Sequence, residues 1–281
     1  MVKNAVKLVT PPIAIKLYHQ LKTFYGVAGS YSSWEDAMNA ANRCTRGGYS
    51  DNKILSQVLK AIQAVREGKA VFERDGVLFD QPDYNYPLIA NLYRTMGEFH
   101  AQGQEVNVLD FGGSLGSVYF QNKSILKSLE PYKWHIVEQP HFVEVGKKNI
   151  PEITFHATIE DFVRAEFSQD VLLFSGVIQY FDKPYEWVKR GLEAGFEYII
   201  IDRTYFNPQP GERIAVQYVP PTIYDAAYPC WLLDKDRLTA FIEDAGYSML
   251  DKWVSFDLMP CKLGRFNDTV LHSEGMLFKK I

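Results

Sequence analysis

The stretch VNVLDFGGSLGSVYF, residues 106–120, limits the fold more than any other. An apolar, β-prone run ends in Asp110, glycines follow at 112, 113 and 116, and a helical pattern begins at once. The chain therefore passes from strand to helix through a turn whose glycines let a ligand approach the backbone closely. A strand of this kind, apolar along its whole length, needs neighbours beside it and helices on both faces. Short β-rich runs at 134–138, 153–156, 171–175, 198–202, 248–256 and 269–278 supply the neighbours. Helical patterns at 117–129, 141–149, 160–165, 184–194 and 235–245 fall between them. The expectation is an open, doubly wound α/β sheet of seven strands. MPCKLGRFND leaves no room for a crossover helix between the last two strands, so that pair is expected to run antiparallel.

Residues 1–103 read differently. SWEDAMNAAN begins with Ser33 as an N-cap, and NKILSQVLKAIQAVREG is closed by Gly68. No alternation of strands is visible there, so the sequence divides into a mostly helical cap or lid over 1–103 and a ligand-binding domain over 104–281. Within the second part, residues 203–233 break the rhythm with a proline- and aromatic-rich insertion after the fifth strand, where open sheets bind ligands, and are expected to form a substrate loop.

The 281 residues carry 30 Lys and Arg against 34 Asp and Glu, a net charge of −4, which argues against a nucleic-acid partner. Cys44, Cys230 and Cys261 are widely spaced and match no metal or disulfide pattern, in keeping with a reducing cytoplasm. The N-terminal MVKNAVKLVTPPIAIKLYHQLKTFYG is neither a signal peptide nor a membrane span. Its lysines and apolar residues fit a basic helix packed on the protein, or peripheral contact with the inner face of a membrane. Nothing in the sequence fixes an oligomeric state.

Two cofactors compete for the glycine turn. A dinucleotide fingerprint ending on Gly113 and Gly116 needs a glycine at 111, which is Phe. The spacing acid-x-G-x-x-x-G, given by Asp110, Gly112 and Gly116, suits a ligand without a pyrophosphate, whose cationic amino-acid part faces the acid. S-adenosylmethionine is such a ligand. Glu138, at the end of the next strand, stands where a carboxylate accepts both hydroxyls of an adenosine ribose.

VLDFGGSLGS, HIVEQ, ATIEDF and DVLLFSGVIQYF, in this order, resemble the successive motifs of class I S-adenosylmethionine-dependent methyltransferases over residues 104–281. The resemblance implies a Rossmann-like methyltransferase sheet with an antiparallel last strand. By it, Asp110, Gly112, Gly113 and Gly116 would line the methionine moiety, Glu138 with Gln139 the ribose, Thr158, Ile159 and Glu160 the adenine edge, and Ser175, Gly176 and Val177 the floor below the sulfonium. Ser114 stands where many such enzymes have a third glycine. YSSWEDA, GGYSDNKIL and FERDGVLFDQPDYNYPLI add a resemblance to a bacterial methyltransferase family associated with surface-polysaccharide genes. That resemblance implies a sugar or glycan-related acceptor.

Methyl transfer is an in-line displacement at a sulfonium carbon, so a protein must mainly align the nucleophile and, for a hydroxyl, take its proton. Asp202 in IIIDRT is the first candidate base, with His141 and Tyr205 next, and Arg203 and Tyr180 behind them. No histidine pair has metal-ligand spacing, so no metal is expected. FERDGVLFDQPDYNYP, residues 72–87, mixes acids, Arg74 and aromatics in the manner of a lid over a sugar site or of a salt-bridged turn. The rival functions are a nicotinamide-dependent oxidoreductase, for which YFDKPYEW lacks the lysine of a Tyr-x-x-x-Lys pair, and a non-catalytic binding module.

Overall fold

The structure, a computed structural model, describes residues 24–43, 52–220, 223, 226–262 and 268–281. The basic N-terminal stretch and Cys44 lie outside these residues. The chain begins with β1 (Gly26–Tyr31), α1 (Trp34–Asn42), α2 (Asn52–Arg66), a hairpin of β2 (Phe72–Arg74) and β3 (Val77–Phe79), and α3 (Tyr86–Ala101). The alternating region follows as β4 (Val106–Phe111), α4 (Ser117–Leu126), β5 (Tyr132–Val137), α5 (Pro140–Asn149), β6 (Thr154–His156), α6 (Ile159–Arg164), β7 (Val171–Ser175), α7 (Pro184–Ala194) and β8 (Tyr198–Thr204). It closes with β9 (Arg213–Tyr218), β10 (Ala227–Leu232), α8 (Lys235–Glu243), β11 (Tyr247–Lys262) and β12 (Asp268–Lys280).

The result is an α/β, Rossmann-like mixed sheet. Strands β4 to β8 are parallel, in the order β8-β7-β4-β5-β6. Strand β12 runs antiparallel beside β8, and β11 antiparallel beside β12, as the short connection between them requires. These are the seven strands expected.

The structure differs from the sequence reading in extending that sheet to ten strands among the described residues. Gly26–Tyr31 is a strand, parallel to β11 and antiparallel to β9, although two glycines in six residues hide any alternation. Part of the expected substrate loop is also sheet, since β9 and β10 pair antiparallel in continuous register from Arg213↔Leu232 to Tyr218↔Ala227. Long-range pairing overrides local sequence here: a strand of proline and aromatic residues is stable because its partner is already in place.

The period of two along each strand sorts side chains to the two faces of the sheet. Val106 and Val108 of β4, Leu173 of β7 and Ile200 of β8 share one core with α2, α3, α4 and α5. Leu109, Leu172 and Ile199 share the other with α6, α7 and α8. Asp110 and Asp202 therefore fall on the first face, in step with Val108 and Ile200, as does Glu138 two residues after Ile136 of β5. Asn85 ends the polar run before α3 by accepting from Leu88 N–H at 3.3 Å, and Ser33 caps α1 through Asp36 N–H at 3.1 Å.

Gly275 of β12 lies under the Trp253 indole, where a Cβ would overlap the ring. Gly275→Ala should destabilise the fold by about 1–3 kcal/mol, measured by urea unfolding, because the indole must leave its seat.

Candidate active site

Asp110 ends β4 with its side chain 1% exposed, folded beneath the turn. A Cβ at Gly113 would lie 2.5 Å from Asp110 Oδ2, so the carboxylate itself demands glycine there. Gly112 (φ +73°) and Gly116 (φ +100°) hold the left-handed conformations that reverse the chain into α4. Ser114, in place of a third glycine, also has φ +54°, a conformation that L side chains rarely adopt. The turn is tied to the next strand: Gly112 N–H donates to Val137 O at 2.8 Å. Ser114 N–H donates to Glu138 Oε1 at 3.3 Å and Gln139 N–H to Oε2 at 2.7 Å.

Loops after neighbouring strands meet this turn. Val177 packs where a Cβ on Gly112 would sit, so the loop after β7 closes on the turn through Val177. Ser175 Oγ reaches Asp202 Oδ2 at 3.4 Å, and Gly176 N–H donates to Asp202 O at 2.9 Å. Thr158, Ile159 and Glu160 begin one strand further out. Thr158 caps α6 through Asp161 N–H at 3.0 Å, Ile159 is buried in the core, and exposed Glu160 lies 4.0 Å from Arg190.

The three candidate bases have unlike surroundings. Asp202 is fully buried and accepts from four side chains: Trp253 Nε1 (2.9 Å) and Ser255 Oγ (3.2 Å) on Oδ1, Asn85 Nδ2 (2.8 Å) and Ser175 Oγ on Oδ2. Burial still holds its pKa above the usual carboxylate range. Tyr205 is buried, and its phenol is pushed well above its usual pKa by desolvation, which opposes ionisation. His141, at the start of α5, has a buried Nε2 with no hydrogen-bond partner. Asn85, Trp253 and Ser255 escaped the sequence reading. Asn85 before a Tyr-Pro helix start is a capping signal, whereas no local pattern marks an indole that reaches a strand two places away.

The electrostatics are those of stranded acids. Burial raises Asp110 to about 7; the Trp134 indole N–H, whose geometry falls short of a hydrogen bond, opposes it, and the nearby Glu138 charge adds a smaller upward push. Burial also raises Glu138. No ion pair serves either acid among the described residues, and Asp110 Oδ2 is without a hydrogen-bond partner.

Asp257, within β11, binds Arg203 near the end of β8 and lies 3.7 Å from Arg74, which also pairs with Asp83 at 3.3 Å. Tyr180 donates to Gln217 at 2.8 Å and meets Tyr228 edge to face. Among the described residues no three His, Cys, Asp or Glu side chains converge as metal ligands, and no helix is long and apolar enough to cross a membrane.

No family model and no curated protein matches the chain. Solved structures do align with it. One is the Burkholderia thailandensis 1,6-didemethyltoxoflavin-N1-methyltransferase with bound 1,6-didemethyltoxoflavin and S-adenosylhomocysteine, at 15% identity over 84% of this chain and 92% of that one, with a TM-score of 0.38. Others are the N-terminal domain of EvdMO1 in the presence of S-adenosylhomocysteine and D-fucose (14%, 84% and 100%, TM-score 0.44) and the magnesium protoporphyrin IX methyltransferase of Synechocystis PCC 6803 (12%, 82% and 100%, TM-score 0.44).

A carboxyl group whose pKa rises on folding favours the native state only while protonated, so its contribution is lost as pH climbs from the unfolded value towards the folded one. Between pH 4 and 7 the stability of Asp110→Asn relative to the parent should therefore improve by about 2–4 kcal/mol, read from paired urea titrations without ligand. The difference is the proper readout, because His135, lowered by burial to about 3, tilts both proteins the other way.

Proposed function

We propose that the chain is an S-adenosylmethionine-dependent methyltransferase. The observation that carries this reading is the pair of buried carboxylates, Asp110 and Glu138, without an ion pair among the described residues, around a glycine turn at the carboxyl ends of parallel strands. Burying a carboxylate without a counter-charge costs several kcal/mol, which a cationic ligand would offset. S-adenosylmethionine brings an ammonium and a sulfonium, together with a ribose whose hydroxyls suit Glu138. Gln139, Thr158 and Ile159 would border the adenosine, and Ser175 to Val177 the sulfonium. The nicotinamide reading is opposed by Phe111, whose ring packs against Phe174, Phe181 and Trp187 where the fingerprint needs glycine.

The acceptor in this reading is a sugar or glycan-related hydroxyl compound of surface-polysaccharide biosynthesis. It would lie between the β2–β3 hairpin and the β9–β10 extension, where Tyr180, Tyr205 and Tyr228 stand close to the Arg74–Asp257–Arg203 cluster. Residues 1–103 would act as its cap. Asp202 acts as a positioning residue, since its four donors already occupy the carboxylate, and alignment of the hydroxyl supplies most of the rate.

Calorimetric titration with S-adenosylmethionine, S-adenosylhomocysteine and NAD tests the class: the adenosyl ligands should bind and NAD should give no heat. Glu138→Ala should weaken S-adenosylhomocysteine by about 30-fold or more, and unchanged affinity in a folded variant would remove Glu138 from the site. Asp202→Asn should lower kcat with little change in cofactor KM and should keep the parent's pH limb. Loss of that limb would make Asp202 the base after all.

A further inference from the structure

Glu73, from the acidic and aromatic stretch 72–87, is a buried acid at the same turn. It is the middle residue of β2, only 3% exposed. Asp75 (φ +52°) and Gly76 (φ +74°) are consecutive left-handed residues, the backbone of a tight two-residue hairpin turn that an Asp-Gly pair favours. The turn delivers Gly76 N–H to Glu73 Oε2 at 2.8 Å, while Ser117 Oγ donates to Oε1. Ser117 is the first residue of α4, next to Gly116 of the glycine turn.

The alternation of β2 sends Glu73 one way and its neighbours the other. Arg74 lies over the stacked Phe72 and Phe79 rings and pairs with Asp83 and Asp257, so its charge is committed on the opposite face. Glu73 has no ion pair among the described residues, and burial raises it to about 7. Its two hydrogen bonds use about half the accepting capacity of a carboxylate. On the same turn, the buried Asp110 Oδ2 and Ser114 Oγ have no hydrogen-bond partner. A polar group of cationic character is thus wanted between β4 and the start of α4.

We propose that Glu73 is a cofactor ligand contributed by the N-terminal region, its carboxylate binding the α-ammonium of the methionine moiety together with Asp110. This rests on the S-adenosylmethionine reading of the site. It gives the hairpin a chemical reason to sit on the glycine turn, because an occupied ammonium subsite joins the cap to the sheet domain. It also makes the amino-acid part of the cofactor, rather than its adenosine, the portion that the cap senses.

The test compares S-adenosylhomocysteine with its deaminated analogue, S-adenosyl-4-thiobutyrate, by calorimetry on the parent and on Glu73→Gln, with melting curves to show that both are folded. Glu73→Gln should weaken S-adenosylhomocysteine by about tenfold to a hundredfold and leave the analogue within about twofold, because only the former carries the ammonium. Equal weakening of both ligands would show that Glu73 merely seats the hairpin, and no weakening of either would remove it from the site; each overturns the proposal. A parent protein that binds neither ligand would overturn the cofactor reading itself. Amide exchange adds a second readout, since S-adenosylhomocysteine, unlike the analogue, should slow exchange at Gly76 in the parent. Equal slowing by both ligands would count against the proposal.

Discussion

Asp202 binds together parts of the chain that no local rule would join. Its carboxylate collects an indole N–H and a hydroxyl from β11, an amide from the cap of α3, and a hydroxyl from the end of β7. Asn85 closes the circuit by donating also to Ser255 at 3.0 Å while it caps α3. The helical region before residue 103 is thereby fastened to the sheet at the point where the parallel strands end. Removing one partner would leave the others buried and unpaired, which costs more than the net worth of a single hydrogen bond. Gly275 belongs to the same arrangement, since the indole reaches Asp202 only because β12 presents no side chain beneath it.

The other acids at this end of the sheet are balanced differently. Among the described residues Asp202 has four side-chain donors, whereas Asp110 leaves one oxygen without a partner and Glu138 receives two backbone N–H groups. A parallel sheet makes this arrangement natural. Side chains at period two on adjacent strands stack on one face, and the carboxyl ends are where the crossover loops part. Burial raises both acids, Asp110 to about 7, so a cation bound beside them would favour their charged forms. Ligand affinity and proton release are coupled through the same atoms.

Much of this was legible in the sequence because it depends on short-range pattern. The seven central strands, the helices between them, the antiparallel closing pair and the grouping of Asp110, Gly112, Gly113, Ser114, Gly116 and Glu138 follow from periodicity and turn chemistry. What escaped depends on contacts far apart in the chain. Strand β1 has two glycines in six residues, and β10 carries Pro229 and Cys230, so neither shows a strand pattern until its partner is known. Trp253 is 51 residues from Asp202, and nothing around it distinguishes a structural indole from any other half-buried one. Glu73 was visible as part of an acidic, aromatic stretch. Its burial against Ser117 is a property of the hairpin's seat rather than of its sequence.

The opposite face of the sheet shows a buried polar group whose hydrogen bonds are met within the protein. There Asn107, His135 and His156 form a buried chain, with His135 Nδ1 3.1 Å from His156 Nε2 and its Nε2 3.1 Å from Asn107 Oδ1. Asn107 Nδ2 then donates to Ser168 at 2.7 Å, and Ser168 to Asp170 at 2.7 Å. Burial lowers His135 to about 3, so the ring is neutral, and one tautomer serves both its contacts: Nε2–H donates to Asn107 and Nδ1 accepts from His156. Both nitrogens of His135 and both side-chain ends of Asn107 have a partner within the chain. Asp110 lies on the same strand as Asn107 but on the other face, and among the described residues its buried Oδ2 has no such counterpart.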